Sequence, residues 1–297
     1  MEKRALRALS ARVGCALLVV CALQLGLSFA AARLWGAMDE SLWFVLVTAL
    51  SGLTLLAGAL AGRKLLGTET RGNASPARNR ASLPECLPLL PAGAALCMAG
   101  NAVGALVENV AGRAGVEFHG GVEPPRSQSL PLFLLTLLAV SVLPAVAEEW
   151  LLRGVILPPL RRFGDGFAVT CTAALFALLH QNMEQAPMAF VAGLALGWVY
   201  IRSGRLIVPV AVHLWNNAAA TLLSVLPEGA ASLYALALAI LGVLCLFMLC
   251  LRRREPRRVI CEMPAYRRAS YFFFGSLAMA LALGYFVVVI AMNTAAG

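Results

Sequence analysis

Long runs of apolar residues alternate with short polar stretches along the whole chain. Most of these runs approach the roughly 20 residues that a helix needs to cross the hydrocarbon core of a bilayer. Their spacing predicts an all-helical transmembrane bundle with eight or nine spans, in which the shorter runs could also be re-entrant or buried segments. The predicted spans cover approximately residues 13–32, 42–61, 87–107, 130–153, 167–180, 188–201, 206–226, 233–251 and 271–292.

The first run follows four basic residues, a pattern that signal peptides and first membrane spans share. Ser28 opens a Ser-Phe-Ala-Ala-Ala stretch that resembles a small-residue cleavage site. The run is nevertheless longer than the roughly 7–15 residues of a signal-peptide core, so a retained span is the favoured interpretation.

The composition excludes an ordinary water-soluble domain. Of the 297 residues, 60% are hydrophobic and 13% are charged, whereas soluble domains carry about 25% charged residues. The eight cysteines include no Cys-x-x-Cys pair, and most lie in apolar runs. They are predicted to be small buried residues rather than a disulfide framework or a zinc site. The chain is therefore predicted to be an integral membrane protein.

The net charge of +9 is distributed unevenly between the two sides of the predicted bundle. If the N-terminus is cytoplasmic and the spans alternate, 20 of the 24 Lys and Arg residues fall in cytoplasmic segments and three in outer segments. The remaining one, Arg153, lies within the membrane. This asymmetry follows the positive-inside rule and predicts a cytoplasmic N-terminus. It explains the basic charge by topology and by contact with anionic lipid head groups, so nucleic acid is not an expected partner.

The fourth run contains Glu148, Glu149 and Arg153. Such residues are functional-site candidates, because a charge at a helix centre costs about 2.5–3.5 kcal/mol to insert. On a helix, Glu149 and Arg153 are four residues apart and can form an ion pair that supports the architecture. Glu148 is turned by about 100° from Glu149 and has no local cation, so it is available for chemistry. Pro144 is expected to interrupt this span.

Two of the three histidines also lie in apolar helical runs, where a polar side chain must find a partner. His180 follows Phe176 by four residues, so the aromatic ring could form the floor of a site and fix the imidazole. His213 and Asn217 are also four apart and share a helical face, with Asn216 as a competing neighbour. The polar groups therefore come from three helices.

Such a set could hydrolyse a peptide bond. A carboxylate and an imidazole can activate a water by general base catalysis, and a second imidazole with an amide can stabilise the oxyanion of a tetrahedral intermediate. Alternatively, Glu148, His180 and His213 could be three ligands of a zinc ion with an open water position. The structural alternative is that each histidine only forms hydrogen bonds between helices.

The order of these residues resembles the CAAX protease and bacteriocin-processing (CPBP) family, also called the Abi family. The motifs are Glu-Glu-x-x-x-Arg from Glu148, Phe-x-x-x-His from Phe176 and His-x-x-x-Asn from His213. The resemblance covers approximately residues 130–226, and three motifs in order are more specific than any one of them alone.

The resemblance implies an intramembrane endopeptidase that acts on a peptide or protein substrate in a bacterial plasma membrane. By this resemblance, the catalytic residues are Glu148, His180, His213 and Asn217, with Glu149, Arg153 and Phe176 as structural support. Glu148 and His180 would activate water, while His213 would act in the oxyanion site with Asn217. Both a zinc-dependent and a metal-free glutamate mechanism are open, although the helical His-Glu-x-x-His zinc motif is absent.

The same resemblance divides the chain into N-terminal spans (1–129), a catalytic core (130–226) and C-terminal spans (227–297) that are expected only to pack. In a simple alternating ladder, Glu148 and His213 lie toward the cytoplasmic side and His180 lies nearer the outer side. Convergence therefore requires the fourth span to continue past Glu148, or the fifth to lie shallow. We expect a water-filled cavity that opens toward the cytoplasm. The alternative functions are a non-enzymatic immunity or peptide-binding protein, and a transporter.

Overall fold

The computed structural model describes residues 2–67, 80–116, 118, 129–251 and 269–295. Every regular element within these ranges is a helix, so the all-helical prediction is confirmed. The helices are α1 Glu2–Leu34, α2 Glu40–Leu66, α3 Leu83–Cys86, α4 Leu89–Arg113, α5 Leu130–Phe163, α6 Asp165–Leu179, α7 Ala186–Ser203, α8 Ile207–Leu223, α9 Glu228–Leu251, α10 Ala269–Phe274 and α11 Leu277–Ala295.

Among the described residues, six helical segments are long and apolar enough to cross a membrane: α1, α2, α3 with α4, α5, α7 and α9. The apolar helices α6, α8 and α11 are shorter. Together they correspond to the nine predicted runs, and the integral membrane class is confirmed. Helices are expected here, because a segment in hydrocarbon must satisfy its own backbone hydrogen bonds.

Helix α5 changes its hydrogen-bond pattern twice but does not break. Segments Leu138–Val142 and Trp150–Ile156 are wide π-helical turns, in which the N–H of one residue bonds to the carbonyl five positions earlier. Pro144 follows the first of these turns and has no N–H for the carbonyl of Val140. The predicted interruption at Pro144 is therefore a local widening of the helix, and α5 continues past Glu148 to Phe163.

Helix α7 is at the centre of the core that holds the polar residues. It packs against α4, α6 and α8, and α8 in turn packs against α4 and α5. At Gly193 a Cβ atom would lie 2.8 Å from the Cα of Ala173, so α7 and α6 can approach this closely only because residue 193 has no side chain. The close approach brings the backbone of α7 to the edge of the predicted site.

Candidate active site

A cavity of about 550 Å³ lies between α4, α5, α6, α7 and α8. All four predicted catalytic residues line it: Glu148, His180, His213 and Asn217. Small and apolar side chains make up much of the remaining lining, together with the neutral polar residues Asn101, Gln185, Asn216, Thr221 and Ser224. The residues converge because α5 extends well beyond Glu148, which was one of the conditions set by their positions in the sequence.

Glu149 and Arg153 form an ion pair that is completely buried. Arg153 Nη1 donates to Glu149 Oε1 at 2.8 Å, and both side chains are 0% exposed. The other terminal nitrogen, Nη2, donates to the carbonyl of Gly193 at 2.8 Å. The pair expected from the i, i+4 spacing is thus present, and its link to α7 through Gly193 has no signal in the local sequence.

His213 lies between the two adjacent glutamates. Its Nδ1 is 3.2 Å from Glu149 Oε1, and its Nε2 is 3.7 Å from Glu148 Oε2. The Glu149 carboxylate is paired with an arginine and accepts hydrogen bonds in that state, so the shorter contact places a proton on Nδ1. This leaves Nε2 directed toward Glu148, whose side chain is 14% exposed. Glu148 is thus the more accessible of the two carboxylates.

His180 has one ring nitrogen committed to the backbone. Its Nδ1 is 2.9 Å from the carbonyl oxygen of Phe176, one turn earlier on α6. A carbonyl can only accept, so Nδ1 carries the proton and the neutral ring keeps its lone pair on Nε2. A nitrogen of this kind can accept a proton from a water molecule. Its position at the end of α6 places the ring in the cavity lining.

The ring of Phe176 is shared by three of the polar groups. It makes edge-to-face contacts with His180 and His213, with centroid separations of 4.8 and 5.6 Å. The guanidinium of Arg153 lies 5.1 Å from its centroid, within the range of a cation–π interaction. Phe176 therefore separates and orients the two imidazoles. The sequence spacing predicted only its contact with His180, so the contact with His213 extends its role.

Asn217 projects from α8 toward the widened part of α5. Its Nδ2 lies 3.4 Å from the carbonyl oxygen of Val140, the group that lacks its usual donor because residue 144 is proline. A bond of this length is weak, so the amide can turn toward a ligand at low cost. Pro144 thus influences the site because its missing N–H leaves the Val140 carbonyl to accept from Asn217.

The turn after His180 is held by the first and last helices. Gln181 has a positive φ of 53°, a conformation that is uncommon for residues other than glycine. Its side chain donates to Gln24 Oε1 at 2.6 Å, and its carbonyl accepts from Asn293 Nδ2 at 2.8 Å. The expectation that the last span only packs is wrong in this respect, because Asn293 fixes the backbone beside a predicted catalytic residue.

The three predicted zinc ligands lie on the same cavity. Within the ranges that the structure describes, no group of three His, Cys, Asp or Glu side chains is arranged to hold a metal ion. Glu148, His180 and His213 share the cavity, and each histidine uses Nδ1 for a hydrogen bond, which leaves Nε2 as the ring nitrogen that could bind a metal. Because no such group of three is present among those residues, we derive no step through zinc, and the zinc-dependent alternative stays untested.

Residues 130–219 match the family model described as type II CAAX prenyl endopeptidase Rce1-like. An uncharacterised 24.3 kDa protein of Escherichia coli is 33% identical over 93 residues, which are 29% of this chain and 43% of that protein. The membrane-embedded CAAX protease MroQ of Staphylococcus aureus (strain USA300) is 28% identical over 98 residues, 31% of this chain and 38% of that protein. The chain thus spans less than half the length of either relative, and no solved structure gives a significant match.

Proposed function

We propose that the chain is an intramembrane endopeptidase that hydrolyses a peptide bond in the cavity, since residues 130–219 match the Rce1-like type II CAAX prenyl endopeptidase family model. The observation that carries this proposal is the convergence of two imidazoles, the Glu148 carboxylate and the Asn217 amide on a single cavity between membrane helices. Polar groups of this kind are costly to place at membrane depth, so their presence there indicates a functional site.

Water activation is assigned to Glu148 and His180. The unprotonated Nε2 of His180 and the carboxylate of Glu148 can each accept a proton from a water held between them. The resulting hydroxide attacks the peptide carbonyl, and the accepted proton is later delivered to the nitrogen of the leaving amine as the C–N bond breaks. General acid–base catalysis of this kind contributes about 10²–10⁴-fold to a rate.

Oxyanion stabilisation is assigned to His213 and Asn217. The weak contact of Asn217 with Val140 leaves its Nδ2 able to donate to an oxyanion. His213 can donate from Nε2 when both ring nitrogens carry protons, and Glu149 then holds the ring through Nδ1. Each such donor contributes on the order of 10²–10³-fold when it is positioned before the reaction begins.

Cleavage by purified protein tests the proposal. We expect the wild-type chain in detergent or proteoliposomes to generate new peptide termini from a peptide library, measured by mass spectrometry. His180→Ala should reduce the cleavage rate by about 10²–10⁴-fold, because it removes a proton acceptor. His119→Ala is the matched control, since this histidine belongs to none of the three motifs, and it should retain the wild-type rate. Equal rates for the two variants would overturn the role of His180.

Metal content is a separate test of the mechanism. We expect the purified chain to contain far less than one zinc ion per molecule and to cleave peptide in the presence of a zinc chelator, because Glu148 and His180 then act directly on water. Elemental analysis and chelator-treated assays measure both. Loss of cleavage with the chelator and its return with added zinc would replace this mechanism with a zinc-dependent one.

A non-enzymatic peptide-binding or immunity protein is the second candidate. It is favoured by the fact that His213 and Asn217 also form contacts between helices, with Glu149 and Val140. Under this function the wild-type chain would generate no new termini from any peptide, and substitution of His213 would lower thermal stability or peptide binding alone. The cleavage assay therefore separates the two functions.

A further inference from the structure

The cavity lining runs in one direction along two neighbouring helices. On α8 it extends from buried His213 to exposed Ser224, and on α7 it extends from Leu196, which is 1% exposed, to Gln185 just before the helix begins. The two ends of each path are eleven positions apart, which is about 16 Å at 1.5 Å per residue. Consecutive helices joined by a short turn are antiparallel, so both paths lead to the same end of the bundle, where α6 ends and α7 begins.

The opposite end of the bundle is closed beneath the site. Ser203 at the end of α7 is fully buried, and its carbonyl accepts from the N–H of Ala81 at 3.0 Å. Arg205 Nε donates to the carbonyl of Ala81 at 2.6 Å, which holds the segment before α3 against the turn between α7 and α8. Below Leu196, the side chain of Val199 is also fully buried. The cavity therefore has a floor on this side.

The closed end is the basic end of the protein. Among the described residues, the closed end carries eleven Lys and Arg residues and the open end carries two, Arg33 and Arg113; the eleven are Lys3, Arg4, Arg7, Arg12, Arg63, Lys64, Arg80, Arg161, Arg162, Arg202 and Arg205. The alternating spans predicted from the sequence give the same asymmetry, with 20 basic residues assigned to one side of the membrane and three to the other. By the positive-inside rule, the closed end faces the cytoplasm.

We propose that the cavity opens at the extracytoplasmic face and takes a polypeptide segment presented there, such as an exported peptide or the outer flank of a membrane-anchored protein. The cytoplasmic opening expected from the sequence alone is thereby reversed. Glu148 is the one Asp, Glu, Lys or Arg in the described lining, so recognition of the segment depends on its backbone and on small or apolar side chains. Only the identity of the occupant rests on the proposed endopeptidase function; the side of the opening does not.

Cysteine accessibility tests the side of the opening without any need for activity. In a cysteine-free chain, Ser224→Cys places one thiol at the cavity rim. Trp35→Cys and Leu65→Cys are references at the two ends of the bundle, since both positions are exposed, Trp35 lies before α2 begins, and Leu65 lies in the last turn of α2. We expect a membrane-impermeant maleimide to label Ser224→Cys and Trp35→Cys in intact cells, and Leu65→Cys only after permeabilisation.

Labelling of Ser224→Cys only after permeabilisation, together with Leu65→Cys, would overturn the proposal. If the cysteine-free chain does not accumulate, Cys97 in the cavity lining is replaced together with Cys15, Cys250 and Cys261, which leaves the buried thiols Cys21, Cys86, Cys171 and Cys245. Labelling from outside in a protein that cleaves no peptide would contradict the endopeptidase function and leave the opening as proposed. Once a peptide substrate is found, its cleavage by inverted but not by right-side-out vesicles would overturn the extracytoplasmic entry.

Discussion

Glu148→Gln should reduce peptide cleavage by about 10²–10⁴-fold while the protein still folds. The amide of glutamine has nearly the shape of the carboxylate, but it cannot accept the proton of an attacking water. The expected result follows from the position of Glu148 in the cavity lining, beside the imidazole of His213 and on the same cavity as His180.

The fold should survive this substitution because the buried ion pair does not include Glu148. Arg153 forms its ion pair with the neighbouring Glu149, whereas Glu148 Oε2 lies 3.7 Å from His213 Nε2. Glu148 is also partly exposed, so a neutral side chain there leaves no buried cation unpaired. The loss should therefore appear in the cleavage rate, with little change in the melting temperature.

Glu108→Gln is the matched control for this experiment. Glu108 is exposed on α4 and does not line the cavity, so the same chemical change at this position should leave the rate unchanged. Rates are measured with one peptide, and melting temperatures with the same preparations. If the Glu148→Gln protein cleaves the peptide as fast as the Glu108→Gln protein, Glu148 is not the proton acceptor.

The spacing of residues within one helix was sufficient to predict several contacts. The four-residue interval from Glu149 to Arg153 predicted their ion pair, and the interval from Phe176 to His180 predicted the contact of their rings. These predictions succeeded because helical geometry alone determines which side chains share a face. The apolar runs predicted the spans for a similar reason, since run length and bilayer thickness are directly related.

Contacts between helices could not be predicted in the same way. His213 contacts Glu149 across 64 positions of sequence, and Arg153 reaches the carbonyl of Gly193 across 40. A periodic pattern shows which face of a helix is polar, but it does not show which other helix that face meets. The hydrogen bond from Asn293 to Gln181 is a further example, because an isolated asparagine near the end of an apolar run carries no local signal of its partner.

The direction of the cavity also depended on packing rather than on periodicity. An alternating ladder of straight helices gives each residue a depth, but it does not show where side chains leave space between helices. The small residues Ala189 and Ala192 on α7, with Ala220 on α8, contribute to that space and are indistinguishable from packing residues in the sequence. The lining runs from Leu196 to Gln185 along α7 and from His213 to Ser224 along α8, a direction that follows from the packing of the helices.

Arg153→Met should destabilise the folded protein by about 3–5 kcal/mol, because it leaves the buried Glu149 carboxylate without its cation. Arg153 makes three separate contacts: the ion pair with Glu149, the hydrogen bond to Gly193 and the cation–π contact with Phe176. Methionine preserves much of the side-chain volume, so the loss reflects the missing charge and hydrogen bonds. The measurement is the free energy of unfolding in detergent, obtained from a denaturant titration.

Arg113→Met is the control, since Arg113 is exposed at the end of α4, and its unfolding should match that of the wild type. A double variant, Glu149→Gln with Arg153→Met, should recover part of the lost stability. Removing both partners of a buried pair costs less than leaving one charge unpaired, and a glutamine at position 149 can still accept from His213 Nδ1. If Arg153→Met unfolds at the same denaturant concentration as Arg113→Met, the buried pair does not stabilise the core. If the double variant is no more stable than Arg153→Met alone, the loss comes from the Gly193 and Phe176 contacts instead of from the unpaired carboxylate.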